Sequence, residues 1–315
     1  MNAFIHHFAL CAPLFSMVLL GWIMVKIRLF DTAVTKALSQ FVFKFLMPVL
    51  LFDMMSRTHD MPPVDLRVLA AFFGSCAIVY VAGCILGAKL FNQDSTGRVI
   101  TGMGGIFGNN VQLGVPIVQV GLGAAAMPTI SLLIIFNVLL LWTTATACVE
   151  FGRTEGKIDT RKFVKALVNI FKNPIVLGIV TGSAWALTGI PLPEFLGKCT
   201  HLVASATTPC ALIVVGMGLA AHSFTKALPR ATVVTGMKLV VQPVIVYCLC
   251  RLLQLPEVET QAATVLSCLP VAINLYIMAA QFQSQEDEAS SAIFVSTFVS
   301  AVTVPLTMTL LGVHF

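Results

Sequence analysis

Charged residues make up only 10% of this 315-residue sequence, against 57% hydrophobic, whereas soluble domains run nearer a quarter charged. That scarcity excludes a large soluble enzyme, which would have to hide many 20-residue apolar runs in one core. What remains is an all-α polytopic membrane protein. Catalytic motifs are missing as well: there is no HExxH, no GxSxG and no pair of intramembrane aspartates, so a hydrolase is not expected. The nine cysteines include no CxxC pair and sit mostly in apolar segments, which speaks against a disulfide framework, a zinc site or any other metal centre. No cofactor is implied. No basic face with interleaved aromatics occurs, so nucleic acid is not an expected partner. No Lys or Arg precedes the first apolar run, as a cleavable signal peptide would require. The longest connector, Glu150–Lys172, leaves no expected room for an appended signalling domain.

What is present is a series of apolar runs of roughly 20 residues, each bounded by charges or turn residues. Ten spans are expected: Ile5–Val25, Leu38–Met55, Leu66–Leu90, Val99–Gly121 and Pro128–Val149, then Pro174–Leu187, Phe195–Ala221, Ala231–Leu253, Gln261–Gln281 and Ser290–Gly312. Between the two sets, residues 152–172 form a polar connector. Its second half places Arg161, Lys162 and Lys165 against Phe163, Leu167 and Phe171, the pattern of an amphipathic surface helix. The chain thus divides into a first half, 1–151, and a second, 173–315, each of five spans with its fourth span interrupted. Five is odd, so the second half enters the membrane inverted relative to the first.

Orientation is read from lysine and arginine. With the N-terminus outside, the inner loops and adjoining span ends hold 13 of the 19 basic residues and the outer ones 4, namely Arg57, Arg67, Lys198 and Arg251. Lys44 and Lys238 fall inside spans. Both termini are therefore expected outside, and the connector in the cytoplasm. Glu286-Asp287-Glu288 stands on the inner side too, where it favours the positive end of the tenth helix.

The interruptions are where chemistry is expected. Gly108-Asn109-Asn110-Val111-Gln112-Leu113-Gly114-Val115-Pro116 lies mid-way along the fourth span, and Leu269-Pro270-Val271-Ala272-Ile273-Asn274 along the ninth. Broken backbone at membrane depth is tolerated only where it is buried in protein or lines a wet cavity. Matching breaks in inverted repeats point to the substrate site of a secondary transporter. Half-helix N-termini offer free N–H groups and partial positive charge, which suit a carboxylate. Asn109, Asn110, Gln112, Asn137 and Asn274 add amides in otherwise apolar runs. Each must face protein or water, either tying helices together or capping the broken ends and binding substrate. Lys238 is a candidate intramembrane cation; like Lys44 it lies within about two turns of a cytoplasmic end, from which a lysine snorkels. Asp53 reads as a solvated end residue. Gly83-x-x-x-Gly87, Gly104-x-x-x-Gly108 and Gly178-x-x-x-Gly182 read as surfaces for close helix packing.

Four stretches carry a resemblance: GNNVQLGVPIV (108–118), NPIVLGIVTGSAWALTGIPLP (173–193), MKLVVQPVIV (237–246) and LPVAINLYIMAAQF (269–282). The sequence resembles the auxin efflux carrier family, plant PIN-type carriers and bacterial malonate and malate permeases among them. The resemblance implies ten helices in two inverted repeats, with the fourth and ninth broken and crossing. It also implies a scaffold domain of spans one, two, six and seven, a transport domain of the rest, an elevator-type cycle and a homodimer. Asn109 occupies the motif position of a carboxylate-binding asparagine, Pro116 that of the crossing proline, Asn137 lies close to a polar site of the fifth helix, and Lys238 precedes the eighth-helix Pro243. PIN-type ninth helices have a second proline where Leu275 stands here. Pro270 is retained, so an earlier or less sharp break is expected.

The expected function is secondary active transport of a small mono- or dicarboxylate such as malonate or malate, in a bacterial inner membrane. The expected site is Asn109, Asn110, Gln112, Pro116, Asn137, Pro270, Asn274 and Lys238. A solute-binding receptor without turnover and a Na⁺-coupled organic-anion symporter are the alternatives.

Overall fold

The computed structural model describes residues 2–57, 64–153, 174–220 and 227–313. The described chain is helical throughout, and its only β-type pairing is an isolated antiparallel bridge between Gly108 and Val271. The helices are α1 Asn2–Lys26, α2 Thr32–Met55, α3 Arg67–Phe91, α4 Ser95–Gly104, α5 Val115–Gly121, α6 Met127–Arg153, α7 Pro174–Leu187, α8 Glu194–Ala220, α9 Leu228–Leu252, α10 Glu257–Ser267, α11 Asn274–Phe282 and α12 Glu286–Leu310. Six of them, α1, α2, α3, α8, α9 and α12, are long and apolar enough to cross a bilayer. The amphipathic connector expected at 152–172 lies almost entirely outside the described residues.

Several helices begin earlier than apolar runs alone suggest, and two of these starts have a capping cause. The Asp31 carboxylate accepts the Val34 N–H at 2.8 Å, which sets the start of α2 at Thr32 instead of Leu38. Asp94 does the same for Gly97 at 2.9 Å, starting α4 at Ser95 instead of Val99. An N-cap of this kind satisfies a backbone donor that the first turn leaves orphaned.

Prolines bring a second departure. In Phe43–Pro48, Val111–Pro116 and Lys238–Pro243 the residue before proline donates its N–H five residues back, Met47 to Val42, Val115 to Asn110 and Gln242 to Met237. Each helix widens into a π-turn, over Val42–Leu46, Asn110–Gly114 and Met237–Val241. Proline has no N–H and its ring clashes with the carbonyl four residues back, so an extra residue per turn relieves both problems.

The helices pack in two groups. In the first, α1 lies along α8 and the second half of α2 lies along α7. Backbone approach there is close: a β-carbon on Gly182 would stand 2.7 Å from the Phe52 carbonyl oxygen, and one on Gly216 would overlap that of Val18. In the second, α3 packs on α4 and α9, and α9 packs on α10 and α12. The packing expected of Gly83 and Gly178-x-x-x-Gly182 is observed, Gly83 standing against Gly102 and Gly178 against Pro48. Gly104-x-x-x-Gly108 is different, because α4 ends at Gly104 and Gly108 lies in extended backbone beyond it. His7 ties α1 to the end of α12, with Nδ1 3.0 Å from Thr309 Oγ1 and Nε2 3.0 Å from the Val313 carbonyl.

Candidate functional site

Between α4 and the π-turn at Asn110 the chain runs extended, and so does the chain between α10 and α11. The two stretches cross and pair. Asn109 donates its N–H to the Pro270 carbonyl at 2.8 Å, and Ala272 donates to that of Phe107 at 2.9 Å. Val271 donates to Ser296 Oγ of α12 at 3.0 Å. Backbone groups that a broken helix would strand are thus satisfied within the protein, as an apolar surrounding demands. Leu275, where a second proline was missing, is buried in the first turn of α11. The α10–α11 interruption is complete without that proline, earlier than Leu275 as expected but not less sharp.

A cavity of about 250 Å³ opens at the crossing. Its polar lining comes from Asn109, Asn110 and Gln112 after the first break, Asn274 after the second, and Asn137 of α6. Among the described residues, the first helix group supplies only Phe43 of α2 and Ile175 of α7, both apolar. Five of the expected site residues are therefore brought together. Pro116, Pro270 and Lys238 are not in the lining: Pro116 is buried in α5 and Pro270 in the crossing backbone.

Two of these amides carry buried polar atoms without a partner. Asn110 is 4% exposed and neither its Oδ1 nor its Nδ2 has a hydrogen-bond partner; Asn137, 5% exposed, leaves its Nδ2 unpartnered. An unsatisfied buried amide costs on the order of 1–3 kcal/mol, so two such groups on one cavity amount to an unfilled demand for partners. For Asn110 this departs from the interhelical tie that one reading of the sequence allowed. Capping is absent too: neither the π-turn at Asn110 nor α11 carries a side-chain cap. Asn109 and Asn274 stand at these helix starts without capping them.

Lys238 departs most from the snorkelling expectation. It is 1% exposed, behind the crossing instead of at an aqueous end. Its ammonium donates to Gln242 Oε1 at 2.7 Å and to the Ser267 carbonyl. Ser267 closes α10, so the cation meets the free carbonyls and partial negative charge of a helix C-terminus. Gln242 in turn donates to Cys76 Sγ of α3 at 3.4 Å. Lys238 thereby holds α9, α10 and the crossing together; a β-carbon on Gly108 would stand 3.0 Å from its Cε and 3.1 Å from its Nζ. Gly108, expected in a close-packing Gly104-x-x-x-Gly108 surface, instead stands where a β-carbon would press on Asn110 and Lys238. Asp53 is likewise no solvated end residue. It is 4% exposed and accepts from Arg57 at 2.8 Å and from Thr200 Oγ1 of α8 at 2.7 Å.

Among known families, the one described as "Membrane transport protein" matches residues 6–308. The chain belongs to that family. It is the family of the auxin efflux carriers, which the motifs resemble. Relatives include a Rhizobium meliloti protein named "Putative malonate transporter", 25% identical over 303 residues covering 94% of this chain and 92% of that one. "Uncharacterized transporter YfdV" of Escherichia coli K12 is 23% identical over 317 residues, 93% of this chain and 94% of its own. "Uncharacterized transporter MJ1031" of Methanocaldococcus jannaschii is 22% identical over 283 residues, 86% and 88%. Family and apolar helices together make this an integral membrane protein of a transporter family.

Proposed function

We propose that the protein is a secondary active transporter of a small organic anion, bound at the crossing. The observation that carries this is the cavity lined by five amides, two of which, Asn110 and Asn137, hold buried polar atoms without a partner. Amide N–H groups and the starts of two helices offer an anion several donors without a buried arginine. About 250 Å³ lies below the roughly 300–1,000 Å³ of drug-sized sites, which favours acids of a few carbons. The malonate in the Rhizobium relative's name falls in that class, and a mono- or dicarboxylate such as malonate or malate is the substrate we assign.

The cycle we infer is of the elevator type, in a fold of ten spans arranged as two inverted five-helix repeats. The broken spans are α4 with α5 and α10 with α11. α1, α2, α7 and α8 would be the fixed scaffold, and all other helices the moving body. Supporting this, among the described residues every polar side chain of the cavity belongs to the second body, while the first lines it with Phe43 and Ile175. A site whose polar side chains all belong to one body can be carried across as a unit. We place the carrier as a homodimer in a bacterial inner membrane, with both termini outside.

The test is counterflow of labelled malonate, malate and a monocarboxylate in proteoliposomes. Wild type is expected to exchange at least one of them, and Asn109→Ala and Asn110→Ala to lose exchange while remaining folded. Full exchange in both variants would remove the site assignment. Saturable binding without exchange would make the protein a receptor instead.

A further inference from the structure

Away from the cavity, Gln93, Thr101 and Glu288 close a small ring. Glu288, in the first turn of α12, is 2% exposed. Gln93 follows α3, its N–H bonded to the Gly87 carbonyl at 3.1 Å, and Thr101 lies on α4. The three contacts are Thr101 Oγ1 to Gln93 Oε1 at 2.7 Å, Thr101 Oγ1 to Glu288 Oε1 at 2.8 Å, and Gln93 Nε2 to Glu288 Oε2 at 2.9 Å.

Hydrogens decide what Glu288 is. An ionised carboxylate and an amide oxygen only accept, and a hydroxyl carries a single proton. With Glu288 ionised, the Thr101 proton can fill only one of its two contacts. Oxygen then faces oxygen, bare, at hydrogen-bond distance. Turning the Gln93 amide over does not help: Gln93 would then donate to Thr101 and Thr101 to Glu288, but the amide oxygen would face the second carboxylate oxygen. In both orientations one hydrogen is missing, and a protonated carboxyl supplies it. As drawn, Glu288 donates to Thr101, Thr101 to Gln93 Oε1, and Gln93 Nε2 to Glu288, which fills every contact once.

The surrounding charges leave room for the neutral acid. Among the described residues, Arg230 of α9 is a cation that acts on Glu288, but its guanidinium donates to Gln285 at 3.1 Å and lies 5.6 Å from the Phe91 ring centre. Arg98 turns to the Gln93 carbonyl at 2.8 Å, Asp94 is occupied by the Gly97 N–H, and Glu286 and Asp287 are exposed.

We propose that Glu288 holds a proton in this conformation and that the carrier exchanges this proton during transport, so that carboxylate movement is coupled to proton movement. The coupling half rests on the carrier reading above. Release leaves a carboxylate on Glu288 and passes H⁺ to water. The ring is then one hydrogen short, and the contact between α4 and α12 is weakened. Both helices lead to the cavity: α4 runs into the first break, and α12 supplies Ser296 to the Val271 N–H. A proton carried in the same body as the anion offsets one of its charges against the membrane potential.

The experiment uses the full-length chain in proteoliposomes. Infrared difference spectra between acid and alkaline buffer are expected to show a protonated-carboxyl band that is absent from Glu288→Gln; coincident spectra overturn the proton assignment. One coupled proton raises steady-state malonate accumulation about tenfold per unit of imposed pH gradient, and in Glu288→Gln the gradient is expected to have no effect. A wild type indifferent to the gradient overturns the coupling. If no carboxylate exchanges at all, the carrier reading falls and the coupling with it, while the infrared arm still decides whether Glu288 holds the proton. Should Glu288→Gln fail to fold, Thr101→Val removes the hydroxyl that accepts the acid proton and is expected to move the band; an unmoved band counts against the ring.

Discussion

Adding one methyl group at Gly108 tests the geometry of the crossing directly. In Gly108→Ala the new β-carbon falls 2.6 Å from Asn110 Oδ1, 3.0 Å from Lys238 Cε and 3.1 Å from Lys238 Nζ. The Lys238 ammonium is held by Gln242 and Ser267, so it has little room to retreat. Asn110 has no hydrogen bond to lose, so its amide swings away first. The expected result is a split between function and stability. Stability falls by about 1–3 kcal/mol, the usual cost of overpacking a dense interior. Substrate affinity falls by the loss of one hydrogen bond to a charged ligand, about 1.5–3 kcal/mol, or roughly 10- to 150-fold at 1.4 kcal/mol per decade. Isothermal calorimetry with malonate in detergent, beside thermal denaturation of the same preparation, reads both quantities. Gly236→Ala is the control, since a β-carbon there meets nothing within 4 Å; in a helix it is expected to gain up to about 1 kcal/mol and leave affinity alone. Wild-type affinity in a folded Gly108→Ala protein would refute the placement of Asn110 in the site.

Asn137→Leu replaces a buried amide whose Nδ2 has no partner with an apolar side chain of similar size. It is expected to leave the melting temperature unchanged or raised, while counterflow drops at least tenfold. Gly216→Ala puts a β-carbon onto the Val18 carbonyl and must part α1 from α8; a loss of about 3 kcal/mol or more is expected in denaturant melts. Lys238→Met keeps the stem but withdraws the donor from Ser267 and Gln242. Melting is expected to change little, because burying the charge was itself costly. Exchange is expected to fail, because the backbone at the crossing loses its clamp.

Much of this was legible from local pattern. The α7 bounds, Pro174–Leu187, coincide with the apolar run and its N1 proline, and the two interruptions sit where glycine, proline and amides cluster. Whatever depends on contact between distant segments was not. Nothing local tells that Lys238 is buried against Ser267, 29 residues on, or that Glu288 shares a ring with Thr101, 187 residues away. Asp53 was misread for the same reason, its burial resting on Thr200 of another helix. The N-caps Asp31 and Asp94 were visible in principle. A reading driven by apolar runs does not weigh polar residues that begin a helix before its apolar stretch.

Proline was read as the breaker, and here the structure separates two effects. Pro48 and Pro243 sit in helices that continue through a π-turn, and Pro13, Pro209 and Pro305 lie inside helices that remain α-helical. Pro116 also follows only a π-turn; the break itself lies at 105–109, upstream of it. What ends α4 is the availability of a partner. The Phe107 carbonyl and the Asn109 N–H leave helical bonding because the Ala272 N–H and the Pro270 carbonyl offer antiparallel backbone bonds in exchange. The reverse holds for the end of α10. Neither interruption is affordable alone at apolar depth, so the two breaks stabilise each other across the interface. Closing one helix would strand the N–H and carbonyl groups of the other. The amides of the cavity are therefore displayed by a cooperative crossing, and a substitution that weakens either strand should disturb both halves of the site together.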